Sequence, residues 1–248
     1  MVGYTIDHPF LRKLRDEAYA NPKPIILLAD CERAEEAGHE LHQNGYAHPC
    51  MASSLSEGLD YLLSGVGEGF VAGANTDTAL VARALIARVP RLRGVKRITS
   101  TSVFCHPDGS TTFWADTGLA HKIPAEITLE EIAAMTAETA AIAGIDPAIA
   151  YLSHRTEGKF VQFDTAVDPE VAARKGAVGH GHDNVFIFPV EAANIAYKIV
   201  QRLGNAYHMG PVFQGLTLPC SDLSRGADVD EIVNTALFVS MLARKREK

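Results

Sequence analysis

Apolar strand-like runs and helical segments alternate along this chain, which predicts an α/β protein built on a largely parallel sheet covered on both faces. Three features carry that prediction. Short apolar runs such as PIILLA, GFVAGA and NVFIFP recur at strand length. Between them lie segments with helical periodicity and legible start and stop signals. With 248 residues, 47% hydrophobic and 21% charged, the chain has the composition of a soluble globular protein and the length to bury a sizeable core.

In chain order, PIILLA (24–29) is a buried strand, and CERAEEAGHELHQNG reads as an exposed helix stopped at Gly45. GFVAGA (69–74) is the next strand, followed by a helix over 78–89 that Pro90 ends. KRITSTSVF and STTFWA flank the turn HPDG and form a hairpin. In ITLEEIAAMTAETAAIAG, Thr128 and Glu131 make a capping box, and Gly144 stands where a helix C-cap belongs. AIAYLS is a strand, and VDPEVAARKGAV opens a short helix with an early proline. After the strand NVFIFP, ANIAYKIVQRLG is a helix with Ile195, Ile199, Val200 and Leu203 on one stripe. The last helix carries Val229, Ile232, Val233, Ala236, Leu237 and Met241 on another. No repeat, low-complexity tract or long linker interrupts the chain, so any division into two parts is a cleft within one body.

A formal charge of −7 argues against nucleic-acid and membrane-surface binding, both of which require a basic face. The opening stretch has no signal-type apolar region and no segment approaches the length of a membrane span. Cys31, Cys50, Cys105 and Cys220 are scattered without paired spacing, as reduced thiols of a cytoplasmic protein are. Three tempting motifs weaken on inspection. In GVGEGFVAG the glycines follow a helix and precede a strand, the reverse of a dinucleotide fingerprint. GHGHD has two histidines without a further ligand at diagnostic spacing and reads as a loop ahead of a strand, so no metal site is assigned. RVPRLRGVKR reads as a solvated helix end and loop.

The segment from Gly210 to Ala236, GPVFQGLTLPCSDLSRGADVDEIVNTA, places a hydroxyl, a guanidinium and a glycine just ahead of a helix. Arg225 offers phosphate a permanently charged fork, Ser224 a hydroxyl donor, and Gly226 close backbone approach. That is a place to hold an anion. Asp228 and Glu231 form an Asp-x-x-Glu capping pattern at the start of the helix.

GPVFQGL…DLSRGADVDEIVNTA resembles the C-terminal signature of the phosphate acetyl/butyryltransferase family. DNVFIFPVEAANIAYKIVQRLG and VQFDTAVDPEVAARK are also similar to that family, and EGFVAGANTDTALVARAL matches it more loosely. The resemblance implies a two-lobed α/β/α sandwich like the isocitrate/isopropylmalate dehydrogenase fold. A cleft would separate lobe I (1–126 plus 212–248) from lobe II (127–211). It implies transfer of a short acyl group, acetyl first, between coenzyme A and inorganic phosphate. The thiolate would attack the acyl phosphate directly in a ternary complex, with no permanently bound cofactor and as a homodimer. The family's essential serine and arginine fall on Ser224 and Arg225, and its catalytic aspartate falls on Glu231, a departure by one methylene. Gly226, Arg83, Asn194 (as helix cap, phosphate ligand or both) and Gly215 are the implied substrate-binding residues. Family lysine and asparagine positions are here Leu218 and Ser221. The chain is shorter than typical members, with losses before GFVAGA and between YLSHRTEG and KFVQFD. Glu231 and those losses favour the alternative of a non-catalytic acyl-CoA or acyl-phosphate binding domain; the intact Ser224-Arg225-Gly226 triplet favours the transferase. A dehydrogenase of the related fold ranks last, for want of an acidic metal cluster.

Overall fold

The computed structural model describes residues 7–21, 24–29, 33–119 and 128–246. The chain begins α1 (Pro9–Ala20), β1 (Ile25–Ala29), α2 (Ala34–Gln43), β2 (His48–Ala52), α3 (Leu55–Leu63), β3 (Gly69–Ala72) and α4 (Thr78–Arg88). A hairpin of β4 (Thr99–Cys105) and β5 (Thr111–Ala115) follows, then α5 (Leu129–Ile142), β6 (Ile149–Leu152), β7 (Phe160–Val161), α6 (Phe163–Val167) and α7 (Pro169–Arg174). The last part is β8 (Val185–Ile187), α8 (Val190–Leu203), β9 (Tyr207–Gln214), β10 (Cys220–Asp222) and α9 (Val229–Arg246).

These strands form one continuous sheet in the order β2-β1-β3-β10-β9-β4-β5-β8-β6-β7. Both flanks are parallel: β2, β1, β3 and β10 on one side, and β5, β8, β6 and β7 on the other. Antiparallel pairing is confined to the middle, where β9 joins β10 to β4 and β4 joins β5. The predicted α/β class with a mostly parallel sheet holds. Local signals land where the sequence puts them. Thr128 and Glu131 exchange both bonds of the capping box. Gly109 turns the hairpin at φ +88.

The helix with the plainest role is α9. Every residue from Glu231 to Ala243 is buried, because the helix lies under β1, β3 and β9 while α1 and α2 cover its other side. Phe238 anchors it among Phe10 and Phe113, with ring centroids 6.3 and 6.4 Å away. The sequence showed one apolar stripe; burial is all round, since Asn234 and Thr235 are also shielded.

Two readings change. Most of the α8 stripe does not face the core: Ile195, Ile199 and Leu203 are 62%, 52% and 79% exposed, and of the stripe Val200 packs inward. The helix packs instead through Ala193, Ala196, Tyr197 and Val200. Likewise α2 is not simply an exposed helix, because Ala37 and Leu41 are buried. Of the cysteines, Cys105 and Cys220 are buried and Cys50 is half-buried; Cys31 lies outside the described residues. No helix among the described residues is long and apolar enough to cross a membrane.

Truncating Phe238 to alanine removes a fully buried ring and should cost about 3–5 kcal/mol. Chemical denaturation of the variant checks this; a loss below about 1 kcal/mol would contradict the packing described for α9.

Candidate functional site

Ligands of open α/β sheets settle beyond the carboxyl ends of parallel strands, and here β3 and β10 end side by side. Their close approach depends on Gly73, which sits at φ +110 where a Cβ would lie 1.9 Å from Asp222 Oδ1. The Leu223 N–H donates to the Ala72 carbonyl at 2.6 Å, tying the two ends together. Beyond them opens a cavity of about 470 Å³.

Four segments wall it. The start of α4 contributes Asp77, Thr78 and Arg83, and β10 with the turn after it contributes Asp222, Leu223 and Ser224. From α8 come Asn194, Tyr197 and Lys198, and from β9 His208 and Pro211. Thr117, Gly118 and Leu119 close one side. That loop is held by the buried Asp116, whose Oδ1 accepts from Ser100 Oγ and from the Gly118 and Leu119 amides at 3.2 and 3.3 Å. Burial holds the Asp116 carboxyl above its ordinary range despite these donors.

Ser224, Arg225 and Gly226 form the turn between β10 and α9. The Ala227 N–H donates to the Ser224 carbonyl at 2.9 Å and the Gly226 N–H to Ser224 Oγ at 3.3 Å. From the α2 side, Arg33 holds the Ala227 carbonyl at 2.7 Å. Ser224 is half-buried on the cavity; Arg225 is exposed and makes no hydrogen bond or ion pair with the described residues. The turn stands just ahead of the helix rather than on its first amides, since α9 begins at Val229 and Asp228 Oδ1 caps the Glu231 N–H at 2.9 Å.

Glu231 completes only half of the capping box. Its carboxylate turns inward, 6% exposed, with Oε1 3.0 Å from His208 Nδ1 and Gln201 Nε2 3.5 Å from both oxygens. Glu231 itself does not line the cavity; His208 does. The His208 ring stacks on Tyr197 at 5.3 Å and 17° and lies 5.1 Å from Phe104. Its Nε2 is buried and has no hydrogen-bond partner among the described residues.

Of the other implied residues, Arg83 reaches the cavity wall. Asn194 does too, donating to the Thr117 carbonyl at 3.1 Å. As a helix cap Asn194 is corrected: α8 starts at Val190 with Pro189 at its N-cap, so Asn194 lies inside the helix. Gly215 stands apart from this wall. At φ +91 it ends β9, and a Cβ there would lie 2.7 Å from Val95 and 3.2 Å from Ile98. Ser221, at a family asparagine position, bonds the Pro211 carbonyl at 2.9 Å and so links β10 to β9.

Sequence reasoning missed Lys198, Arg202, Tyr197, His208 and Asp222. Arg202 reaches over the turn, with its guanidinium 3.0 Å from where a Gly226 Cβ would stand. Arg83 and Lys198 line the cavity beside Asp77 and Asp222, while Arg202 and Arg225 lie at the adjoining turn. A roomier cleft, about 610 Å³, lies between α1, the β4–β5 turn and the GHGHD loop, with His182 on its wall and none of the implied residues in it. His180 in that loop pairs with Asp183 at 2.7 Å. Among the described residues no group of His, Cys, Asp or Glu could hold a metal ion.

Asp222 is 1% exposed and its Oδ1 has no partner among the described residues. Burial pushes its carboxyl up to about 7; Thr78 opposes the shift and Asp77 adds to it. Because the folded state holds this proton more tightly than the unfolded chain, stability linked to Asp222 is present at low pH and is lost as pH rises through about 7. The stabilisation of Asp222→Asn relative to wild type should therefore grow by roughly 2–3 kcal/mol between about pH 5 and pH 8. Paired denaturation curves measure it, and an advantage that stays flat or shrinks would contradict the burial of an ionisable carboxyl here.

Comparison with known proteins identifies the family. The family model described as Phosphate acetyl/butaryl transferase matches residues 32–161 and 157–240. The break falls in the segment where the sequence passes directly from β6 to β7. A phosphate acetyltransferase of Bacillus subtilis is 33% identical over 75% of this chain and 66% of its own length. One from Staphylococcus epidermidis is 32% identical over 81% of this chain and 73% of its own. One from Corynebacterium glutamicum is 41% identical over 50% of this chain, which spans 46% of that protein. The chain therefore covers from about half to three quarters of these relatives. Among solved structures, EutD phosphotransacetylase from Staphylococcus aureus superposes with a TM-score of 0.79 at 24% identity, over 94% of this chain and 98% of that one. A branched-chain phosphotransacylase from Enterococcus faecalis gives 0.67 at 16% identity, over 96% of each chain. With the family model matched over most of its length, this chain belongs to the phosphate acetyl/butyryl transferase family.

Proposed function

We propose that this chain moves a short acyl group, acetyl first, between coenzyme A and inorganic phosphate, by direct attack of the thiolate on the acyl phosphate in a ternary complex. The observation that carries the reading is the Ser224–Gly226 turn, with a half-buried hydroxyl on the cavity and beside it a guanidinium that engages none of the described residues. Thioester formation from an acyl phosphate requires a phosphate site, a proton acceptor for the thiol and a donor for the developing oxyanion. Arg225 holds the phosphate as a fork, with Gly226 giving close approach. Ser224 donates to the carbonyl or phosphate oxygen. Arg83 and Asn194 guide the anionic substrates from the facing walls, while Gly215 shapes the end of β9.

In this reading lobe I (1–126 plus 212–248) contributes Arg83, Asp222 and Ser224 to the cavity and lobe II (127–211) contributes Asn194, Tyr197 and His208. The chain works without a permanent cofactor or metal, in the cytoplasm, and pairs as a homodimer. The exposed Ile195, Ile199 and Leu203 stripe of α8 favours pairing, since a patch of this kind is commonly an interface. Butyryl and other short chains are the alternative acyl groups. A second reading, a binding domain without turnover, draws on one observation: Glu231 does not line the cavity.

Mixing acetyl phosphate, coenzyme A and purified protein, and following thioester absorbance, separates the two. The transferase reading expects turnover, reduced about 100-fold or more by Arg225→Ala. Calorimetric binding of coenzyme A with no turnover for acetyl, propionyl or butyryl phosphate would leave the binding domain.

A further inference from the structure

We propose that His208 is the general base that takes the thiol proton of coenzyme A, with Glu231 as the carboxylate that orients it. The inference rests on the transferase reading above and assigns the proton to an atom.

The geometry is that of an oriented imidazole. Glu231 Oε1 stands 3.0 Å from Nδ1, so Nδ1–H donates to the carboxylate and Nε2 keeps its lone pair. Nε2 has no partner among the described residues although it is buried, and a buried polar atom without a partner is costly. A group that needs Nε2 is the thiol of a bound substrate, because His208 shares the cavity wall with Ser224. Tyr197 and Phe104 hold the ring, which removes rotational freedom that a base would otherwise have to give up.

Chemistry favours the same atom. As a side-chain class, imidazole is a stronger base than carboxylate and so is better matched to a thiol proton. The extra methylene at position 231 is then an adaptation of reach: the longer side chain extends to the histidine, and a shorter one would leave Nδ1 unmet. Ser224, Arg225 and Glu231 keep their implied places, but Glu231 acts through His208.

In the step, the S–H bond breaks and its proton passes to Nε2. The sulfur pair forms the S–C bond to the acyl carbon while the C–O bond to phosphate breaks, the pair leaving with phosphate. The imidazolium, still donating from Nδ1 to Glu231, returns its proton to a phosphate oxygen. The titratable or charged groups near this ring are Glu231 from α9, Tyr197, Lys198 and Arg202 from α8, and Asp222 from β10; β4 presents Phe104.

The test compares wild type, His208→Gln and Glu231→Gln in acetyl-CoA synthesis between about pH 6 and pH 9, with thermal melts to confirm folding. His208→Gln should lower kcat at least about 100-fold near pH 7. That deficit should shrink at least about tenfold near pH 9, where thiol ionises without help, and KM for acetyl phosphate should stay within a few-fold. Glu231→Gln, which keeps His208 and removes its charge partner, should move the acid limb of the pH profile to lower pH. If His208→Gln does not fold, that shift alone decides, and an unmoved acid limb overturns the proposal. Turnover by a folded His208→Gln at the wild-type rate and profile overturns it too, leaving the transferase reading intact. Wild-type protein that binds coenzyme A and makes no thioester overturns the transferase reading itself.

Discussion

The burial of α9 is the constraint on which the cavity depends. A helix shielded from Glu231 to Ala243 cannot slide or rotate without breaking core contacts on several sides at once. Its first turn is therefore fixed, and so is whatever precedes and projects from it. On one side the turn Ser224–Gly226 is strung between that helix and β10, whose three residues are buried in the middle of the sheet. On the other, Glu231 is delivered to the underside of β9. A mobile helix end would offer a phosphate nothing better than solvent does; a clamped one presents hydroxyl and guanidinium without reorganisation.

Charge works at the local scale here. Net charge of −7 describes the surface as a whole, yet Arg83 and Lys198 share one cavity wall with Asp77 and Asp222, and Arg202 reaches the Ser224–Gly226 turn beside it. Asp222 on that wall and Glu231 behind His208 are buried with different neighbours. Asp222 has lost water without gaining a full set of donors, so its carboxyl rises. Glu231 has a histidine and a glutamine within reach. Two carboxyls a few residues apart in sequence thus meet different fates because one faces β3 and the other faces β9.

Much of the fold is legible where local chemistry decides it. Thr128 with Glu131, Gly45, Gly109 and Gly144 each mark a boundary that backbone geometry enforces. The α1 helix was not read, although Phe10, Leu11, Leu14 and Ala18 carry a helical pattern and are buried. Strand β2 escaped because HPCMA is a half-exposed edge with a proline and no apolar run. The α8 stripe misled because periodicity reports an apolar face and not what covers it. On the cavity wall, Ser224, Arg83 and Asn194 came through motif resemblance, as did Arg225 in the turn beside it. His208 did not, since its pairing with Glu231 spans 23 positions and exists only once α9 packs on β9. Gly215 was swept in with its motif, while its backbone serves the packing of Val95 and Ile98.

The most direct measurement is a crystal structure of the protein with phosphate bound. The account predicts phosphate oxygens within hydrogen-bond distance of both the Arg225 guanidinium and Ser224 Oγ, with α9 unmoved. Phosphate held elsewhere, with Arg225 turned to solvent and Ser224 Oγ still bonded only to Gly226, would contradict it.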